Sequence, residues 1–219
     1  MTFADSLLKF FTHLEAPKVP RGISVMNPYQ VPETLDVVKA FYTKYYNDSE
    51  PRTLMLGINP GRFGAGITGI SFTDPIRLDM VCGIPNLLDK KPELSSDFVY
   101  RMISEFGGPE RFYRKYLISA VSPLGFTRDG KNINYYDDKK LEQAIRPFAS
   151  RCISDLVKMG VHDIGYCVGE GKNFAFLNEL NQEHQWFTKV IPLPHPRFIM
   201  QYRRKQLKAH IRQYLDQLA

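Results

Sequence analysis

Three cysteines, Cys82, Cys152 and Cys167, are all that the 219-residue chain contains, odd in number, far apart and without a C-x-x-C pair. That count disfavours a disulfide framework, a structural zinc site and an iron–sulfur cluster held by four cysteines. Long apolar runs are absent too. The amino end, MTFADSLLKFFTHLEAPK, interrupts its apolar residues with Asp5, Lys9 and His13, unlike a secretory h-region or a membrane span. A cytoplasmic protein without a membrane partner is the expectation. Nor does the chain have the aromatic-poor bias of disorder: 43% of its residues are hydrophobic and 13% aromatic. At ~100–200 residues per domain it reads as one domain, 1–219, with an amino-terminal helical segment over about residues 1–50 packed on it.

An excess of one charge is missing from most of the chain. Of the formal +6, residues 1–194 carry 23 basic against 22 acidic residues, whereas His195–Ala219 sets Arg197, Arg203, Arg204, Lys205, Lys208 and Arg212 against Asp216 alone. A near-neutral body with a basic end points to a face for polyanions, nucleic acid before membrane; a solvated helix face is the bland alternative.

Phe3, Leu7, Leu8, Phe10, Phe11 and Leu14 recur at helical spacing until Pro17 and Pro20, and residues 32–46 read as a second helix. TLMLGI (53–58) is a short apolar run closed by a Gly/Pro-rich stretch, as buried parallel strands are. YLISAV (116–121), HDIGYCV (162–168) and WFTKVIPL (186–193) repeat the pattern, with helices expected over 96–106, 138–158 and 172–181. The alternation predicts an α/β fold, a three-layer α/β/α sandwich around a central four-stranded parallel sheet. Ligands of such sheets bind outside the carboxyl ends of the strands, which gathers loops 59–73, 122–137, 169–172 and 194–198.

The first of these loops is unusual. GINPGRFGAGITGISF (57–72) places five glycines and a proline in sixteen residues, with neither the Walker spacing nor a dinucleotide-binding fingerprint. Asn59 follows the strand, fixed by Pro60, and Phe63 lies four residues on. A held amide can accept from and donate to a water, and an aromatic beside it offers a flat stacking surface. Alone, Asn59 could equally form an Asx turn and Phe63 could pack in the core.

Gly57-Ile58-Asn59-Pro60-Gly61-Arg62-Phe63-Gly64, continuing through Thr68-Gly69-Ile70-Ser71-Phe72, resembles the first motif of the single-strand-selective monofunctional uracil-DNA glycosylases. It is more similar to that branch than to the rest of the uracil-DNA glycosylase superfamily. Asn27-Pro28, Cys82-Gly83-Ile84, Pro123-Leu124, Gly130-Lys131-Asn132, Gly169-Glu170-Gly171 and His195-Pro196 follow in the order the family has them.

The resemblance implies a DNA glycosylase of base excision repair that flips a deaminated base into a pocket. Asn59 would position the attacking water. A neutral amide is no strong general base, so bond breaking would run ahead of attack. His195 would donate to O2 of the leaving base as charge gathers there, worth up to ~3–4 kcal/mol. Phe63 would stack on the base, and Gly57, Ile58, Pro60 and Gly61 would line the pocket. No metal or cofactor is implied. No lysine lies in the first motif to form a Schiff base, so an abasic site would remain.

Where the family supplies an asparagine to read the uracil edge, anchoring on Pro123-Leu124 puts Ser119 or Ala120, neither with an amide. Asn132 or Asn134 could reach in, or could belong to a turn around Gly130. A pocket reading its ligand through main chain would admit xanthine as well as uracil. After His195-Pro196, Arg197 and Phe198 are the side chains able to hold the gap left by the flipped base. Met200, Leu207, Ile211, Tyr214, Leu215 and Leu218 then recur at helical spacing, leaving Arg203 and Arg204 among the residues free for phosphates. Lys172 is a further phosphate candidate, with solvated surface as its alternative. The partner would be DNA carrying a deaminated base, single- or double-stranded, bound by a monomer. A non-catalytic nucleic-acid-binding module and a hydrolase of free nucleosides or nucleotides are the competing readings. The first has no need of the Asn59/His195 pair, and the second none of a basic carboxyl-terminal helix.

Overall fold

The structure, a computed structural model, describes residues 1–218. Its strands are β1 (Ser24–Met26), β2 (Arg52–Gly57), β3 (Tyr116–Ala120), β4 (Gly125–Arg128), β5 (Lys131–Ile133), β6 (Val161–Val168) and β7 (Lys189–Leu193). The helices are α1 (Phe3–Thr12), α2 (Pro32–Tyr46), α3 (Ala65–Thr68), α4 (Pro75–Met80), α5 (Leu94–Phe106), α6 (Pro109–Lys115), α7 (Lys139–Lys158), α8 (Lys172–His184), α9 (Pro196–Tyr202) and α10 (Leu207–Gln217).

Four strands pair in parallel in the order β3-β2-β6-β7, flanked by helices, as the strand–helix alternation predicts. β2 and β3 are almost continuously apolar because helices cover both faces of the sheet. After β3 the chain returns to the other side of β2. The loops leaving β2 and β6 therefore part at their carboxyl ends, which opens a crevice there. β7 starts at Lys189, later than the apolar run at 186, because Asn181 takes both the N–H and the C=O of Phe187 at 2.9 Å each.

A second sheet, antiparallel in the order β1-β4-β5, lies partly where a loop over 122–137 is expected. Asp129 (φ 50) and Gly130 (φ 71) form the two-residue turn between β4 and β5, both left-handed as such hairpin turns require. Gly125 lets this hairpin press on the first loop: a Cβ there would sit 2.7 Å from the Pro60 carbonyl oxygen.

Thr2 and Asp5 close a capping box on α1, and Phe3, Leu7 and Phe11 bury its apolar face. Phe3 lies against Tyr46, and Phe11 against Tyr29 and Tyr42. Beneath them Arg52 is fully buried at the start of β2, donating to Tyr113 O (2.9 Å) and Glu50 O (2.5 Å) and paired with Asp48 (2.8 Å). Its guanidinium also sits over the rings of Phe3 and Tyr46. Arg52→Met should orphan the buried Tyr113 carbonyl and release the partly exposed Asp48, costing about 2 kcal/mol, read by thermal melting as a Tm lowered by about 6 °C.

The carboxyl-terminal helix read as one amphipathic unit is two. It breaks at Arg203 (φ −127, ψ 20), and one 3-10 turn, Arg204–Gln206, joins α9 to α10. Both helices pack on α5, where Tyr214 meets Phe98 at 5.0 Å. The Tyr214 hydroxyl donates to Pro194 O at 2.5 Å and so anchors the loop that carries His195.

Candidate active site

At the carboxyl ends of β2, β3 and β6 lies a cavity of about 960 Å³. Its wall includes Gly57, Ile58, Asn59, Pro60, Gly61, Phe63, Ser119, Ala120, Lys172, His195, Arg197 and Phe198, so the loops after four parallel strands converge on one space. Arg203 and Arg204 are exposed just beyond it, Arg203 with its guanidinium 5.8 Å from the Phe198 ring centroid.

The Asn59 side chain is held across the fold and not by its own turn. Its Oδ1 accepts from Tyr135 N (3.0 Å), and its Nδ2 donates to Ile133 O (3.3 Å) and, less well, to Pro60 O (3.4 Å). These bonds fix which end of the amide is oxygen, and they leave Oδ1 one lone pair for a water.

His195 is the residue before α9, and its Nδ1 accepts from Arg197 N at 3.2 Å. An Nδ1 that accepts carries no proton, so in the neutral ring the proton is on Nε2, which becomes a donor. Burial, with the nearby Arg197 charge second, lowers the His195 pKa to about 4. The imidazole is therefore neutral at physiological pH.

Phe72 is the residue that reading from sequence missed. Its ring lies against the end of β2, where a Cβ on Gly57 would be 3.0 Å from Phe72 Cζ, and its centroid is 5.8 Å from that of His195. Its backbone is left-handed (φ 52), a strained state for a bulky side chain and a frequent mark of a functional position. The signal was its place at the end of the first motif. Phe63, by contrast, stands at the rim, 39% exposed, with the Arg62 guanidinium 4.6 Å from its ring centroid.

Ser119 is buried in β3 beside Leu56, and its hydroxyl makes no hydrogen bond among the described residues. Asn132, at the mouth, accepts from Arg62 N (3.3 Å), and Asn134 caps the 3-10 turn Tyr135–Asp137. Glu93, another wall residue not singled out from sequence, caps α5 through Ser95 N and Ser96 N, and burial raises its pKa.

The wall carries charge of both signs, Glu93, Asp137 and Glu170 beside Arg62, Lys131, Lys172 and Arg197. Arg52, Arg77, Arg101, Arg128 and Arg146 all form salt bridges. Among the described residues Arg62, Lys131, Lys172, Arg197, Arg203 and Arg204 form none, which leaves their charge for another partner. No group of three or more His, Cys, Asp or Glu side chains able to hold a metal occurs among the described residues, and no helix there is long and apolar enough to cross a membrane.

The family model described as the uracil DNA glycosylase superfamily matches residues 43–219, a span containing the whole cavity wall. Among solved structures, the crystal structure of wild-type SMUG2 from Pedobacter heparinus superposes with a TM-score of 0.97 at 44% identity, covering 100% of this chain and 97% of that one. No curated protein matches. With the parallel sheet, the ordered loops and these likenesses in agreement, the chain belongs to the uracil-DNA glycosylase superfamily and has a function of the uracil-DNA glycosylase type.

Proposed function

We propose that the protein is a monofunctional DNA glycosylase that hydrolyses the N-glycosidic bond of uracil, or of a related deaminated base such as xanthine, in DNA. The observation that carries this reading is the pairing of Asn59 and His195 on one cavity, each in an orientation set by backbone hydrogen bonds. A binding module would need neither constraint.

The target nucleotide leaves the stack and its base enters the cavity. Phe72 offers the flat face at the base of the pocket, and Phe63 covers the rim. As the glycosidic bond stretches, negative charge moves onto the base and positive character onto the sugar. His195 Nε2–H donates to the base oxygen, and Asn59 Oδ1 directs a water at the sugar carbon. The base departs as an anion held by His195, the water adds to the cationic sugar carbon and gives up a proton that ends on the base, and an abasic sugar remains. Base reading falls to Ser119 Oγ and to main-chain groups of Ile58, Gly61 and Ala120, a set that discriminates less strictly between pyrimidine and purine edges than a side-chain amide would.

DNA as the substrate, in preference to a free nucleoside, is supported by the unpaired cations at the mouth. Arg197 and Phe198 would occupy the gap in the strand, with Lys172, Arg203 and Arg204 on phosphates. Arg203→Ala with Arg204→Ala should lower affinity for a uracil oligonucleotide and shrink the slope of log K against log salt by about 1.4 on single strands. A slope unchanged in binding titrations would remove these two residues from the interface.

Purified protein should turn a uracil-containing oligonucleotide into an alkali-labile product without added metal, leaving the strand uncut before alkali. A panel of uracil, xanthine, hypoxanthine and 5-hydroxymethyluracil in single and double strands ranks the substrates. Release of none of them would overturn the reading.

A further inference from the structure

Asn59 depends on residues that lie outside the first motif. Both of its strong partners are backbone groups of the corner after β5: the carbonyl of Ile133 and the N–H of Tyr135. The aim of the amide is therefore only as good as the placement of that corner. Tyr135 itself is fully buried, its ring against Tyr136 (5.1 Å) and Phe176 (4.9 Å).

At the far end of the ring, the Tyr135 hydroxyl donates to Asn173 Oδ1 at 2.7 Å. Asn173 is 1% exposed and stands in the first turn of α8. Its Nδ2 faces Gly57 O (3.4 Å), Val168 O (3.4 Å) and Cys167 Sγ (3.2 Å), the ends of the two central strands on which the pocket is built. A buried amide and a buried phenol so connected cost little only while they remain connected, because either one alone is an unsatisfied polar group.

We propose that Tyr135 and Asn173 are positioning residues forming a strut from the ends of β2 and β6 to the Asn59 amide, so that the Tyr135 hydroxyl governs the chemical step through Asn59. The strut rests on the glycosylase reading given above. The Tyr135 hydroxyl does not touch the reacting atoms, and the effect of removing it should vanish when Asn59 is absent.

The test is a double-mutant cycle read by single-turnover kinetics on a uracil oligonucleotide. Tyr135→Phe keeps the ring and removes the hydroxyl. It should lower the chemical rate by about fivefold to tenfold with half-saturation unchanged, and by less than twofold in an Asn59→Ala background. Asn173→Ala, which also frees Gly57 O and Val168 O, should lower the rate at least as much, and Tyr135→Phe should then add nothing to it; a further loss overturns the strut. Equal losses with and without Asn59, or an unchanged rate in Tyr135→Phe, overturn the strut. A second readout needs no activity: NMR of the Asn59 side-chain amide. Its two protons should shift and exchange faster with water in Tyr135→Phe and in Asn173→Ala, and unmoved signals overturn the strut. An inactive wild type whose Asn59 signals do move would leave the strut standing and defeat only the glycosylase reading.

Discussion

Replacing His195 with alanine should lower kcat on uracil-containing DNA by about 10²–10³-fold, with KM little changed, because the lost interaction strengthens only as the bond breaks. In the ground state the base oxygen carries a partial charge that water satisfies almost as well. In the transition state it approaches a full negative charge, where one directed donor is worth about 3–4 kcal/mol. The tautomer sharpens the expectation. Nδ1 is already engaged by Arg197 N, so the proton available to the base is on Nε2. His195→Gln should recover part of the loss if its amide nitrogen reaches the same point, and steady-state kinetics on the three proteins decides this.

The pH dependence of the same residue follows from its lowered pKa. With His195 titrating at about 4 in the folded protein against 6.5 for the free side chain, the ring is neutral throughout the usual assay range. The wild-type kcat should therefore show no step near about pH 6.5 from this group and should fall only as pH approaches about 4, where protonation puts an N–H on Nδ1 against that of Arg197. Stability has the same sign. Between those two values the unfolded chain binds the proton and the folded one does not, so this contribution is complete above the unfolded pKa and is lost as pH falls toward the folded one. A pH–rate profile with an inflection near about 6.5 that disappears in His195→Gln would contradict the assignment.

How legible all this was from the chain alone differs by element, for physical reasons. β2 and β3 announce themselves because double burial demands unbroken apolar runs, whereas β6 and β7, partly exposed, are legible mainly from the Gly/Pro-rich loops that close them. The small sheet does not, since strands of three and four residues are too short to display a period; the Asp129-Gly130 turn was its one clear mark. The break at Arg203 is invisible because the apolar spacing carries on across it. Asn59 and His195 stand at strand ends where topology gathers ligands, and both line the cavity. Their hydrogen-bond partners do not share that legibility. Tyr135, which donates to Asn59, lies 76 positions from it, Asn173, which accepts from Tyr135, lies 38 positions further, and a buried tyrosine beside a buried asparagine has no sequence signature. Phe72 was hidden for a different reason: two phenylalanines follow Asn59 in one glycine-rich loop, and only the fold tells which of them lies against Gly57.

Asn59→Ala is the second large effect, expected at about 10²-fold in kcat, and its character should differ from that of the histidine variant. On the proposed reading the amide stabilises no charge on the base and instead places a nucleophile. If bond breaking runs ahead of attack, removing Asn59 leaves the departure of the base as difficult as before and makes capture of the cationic sugar inefficient. Removing His195 does the reverse. A more acidic leaving base, 5-fluorouracil in place of uracil, lowers the charge-stabilisation demand and should therefore rescue His195→Ala by a larger factor than Asn59→Ala. Asn59→Asp adds a finer distinction. It keeps an oxygen for Tyr135 N and for the water but turns its second oxygen toward the Ile133 carbonyl, so it should fall between wild type and Asn59→Ala at neutral pH. Equal rescue of the alanine variants by the better leaving base would mean that Asn59 and His195 act on the same bond. The division of labour drawn from their geometry, one residue for the water and one for the base, would then fail.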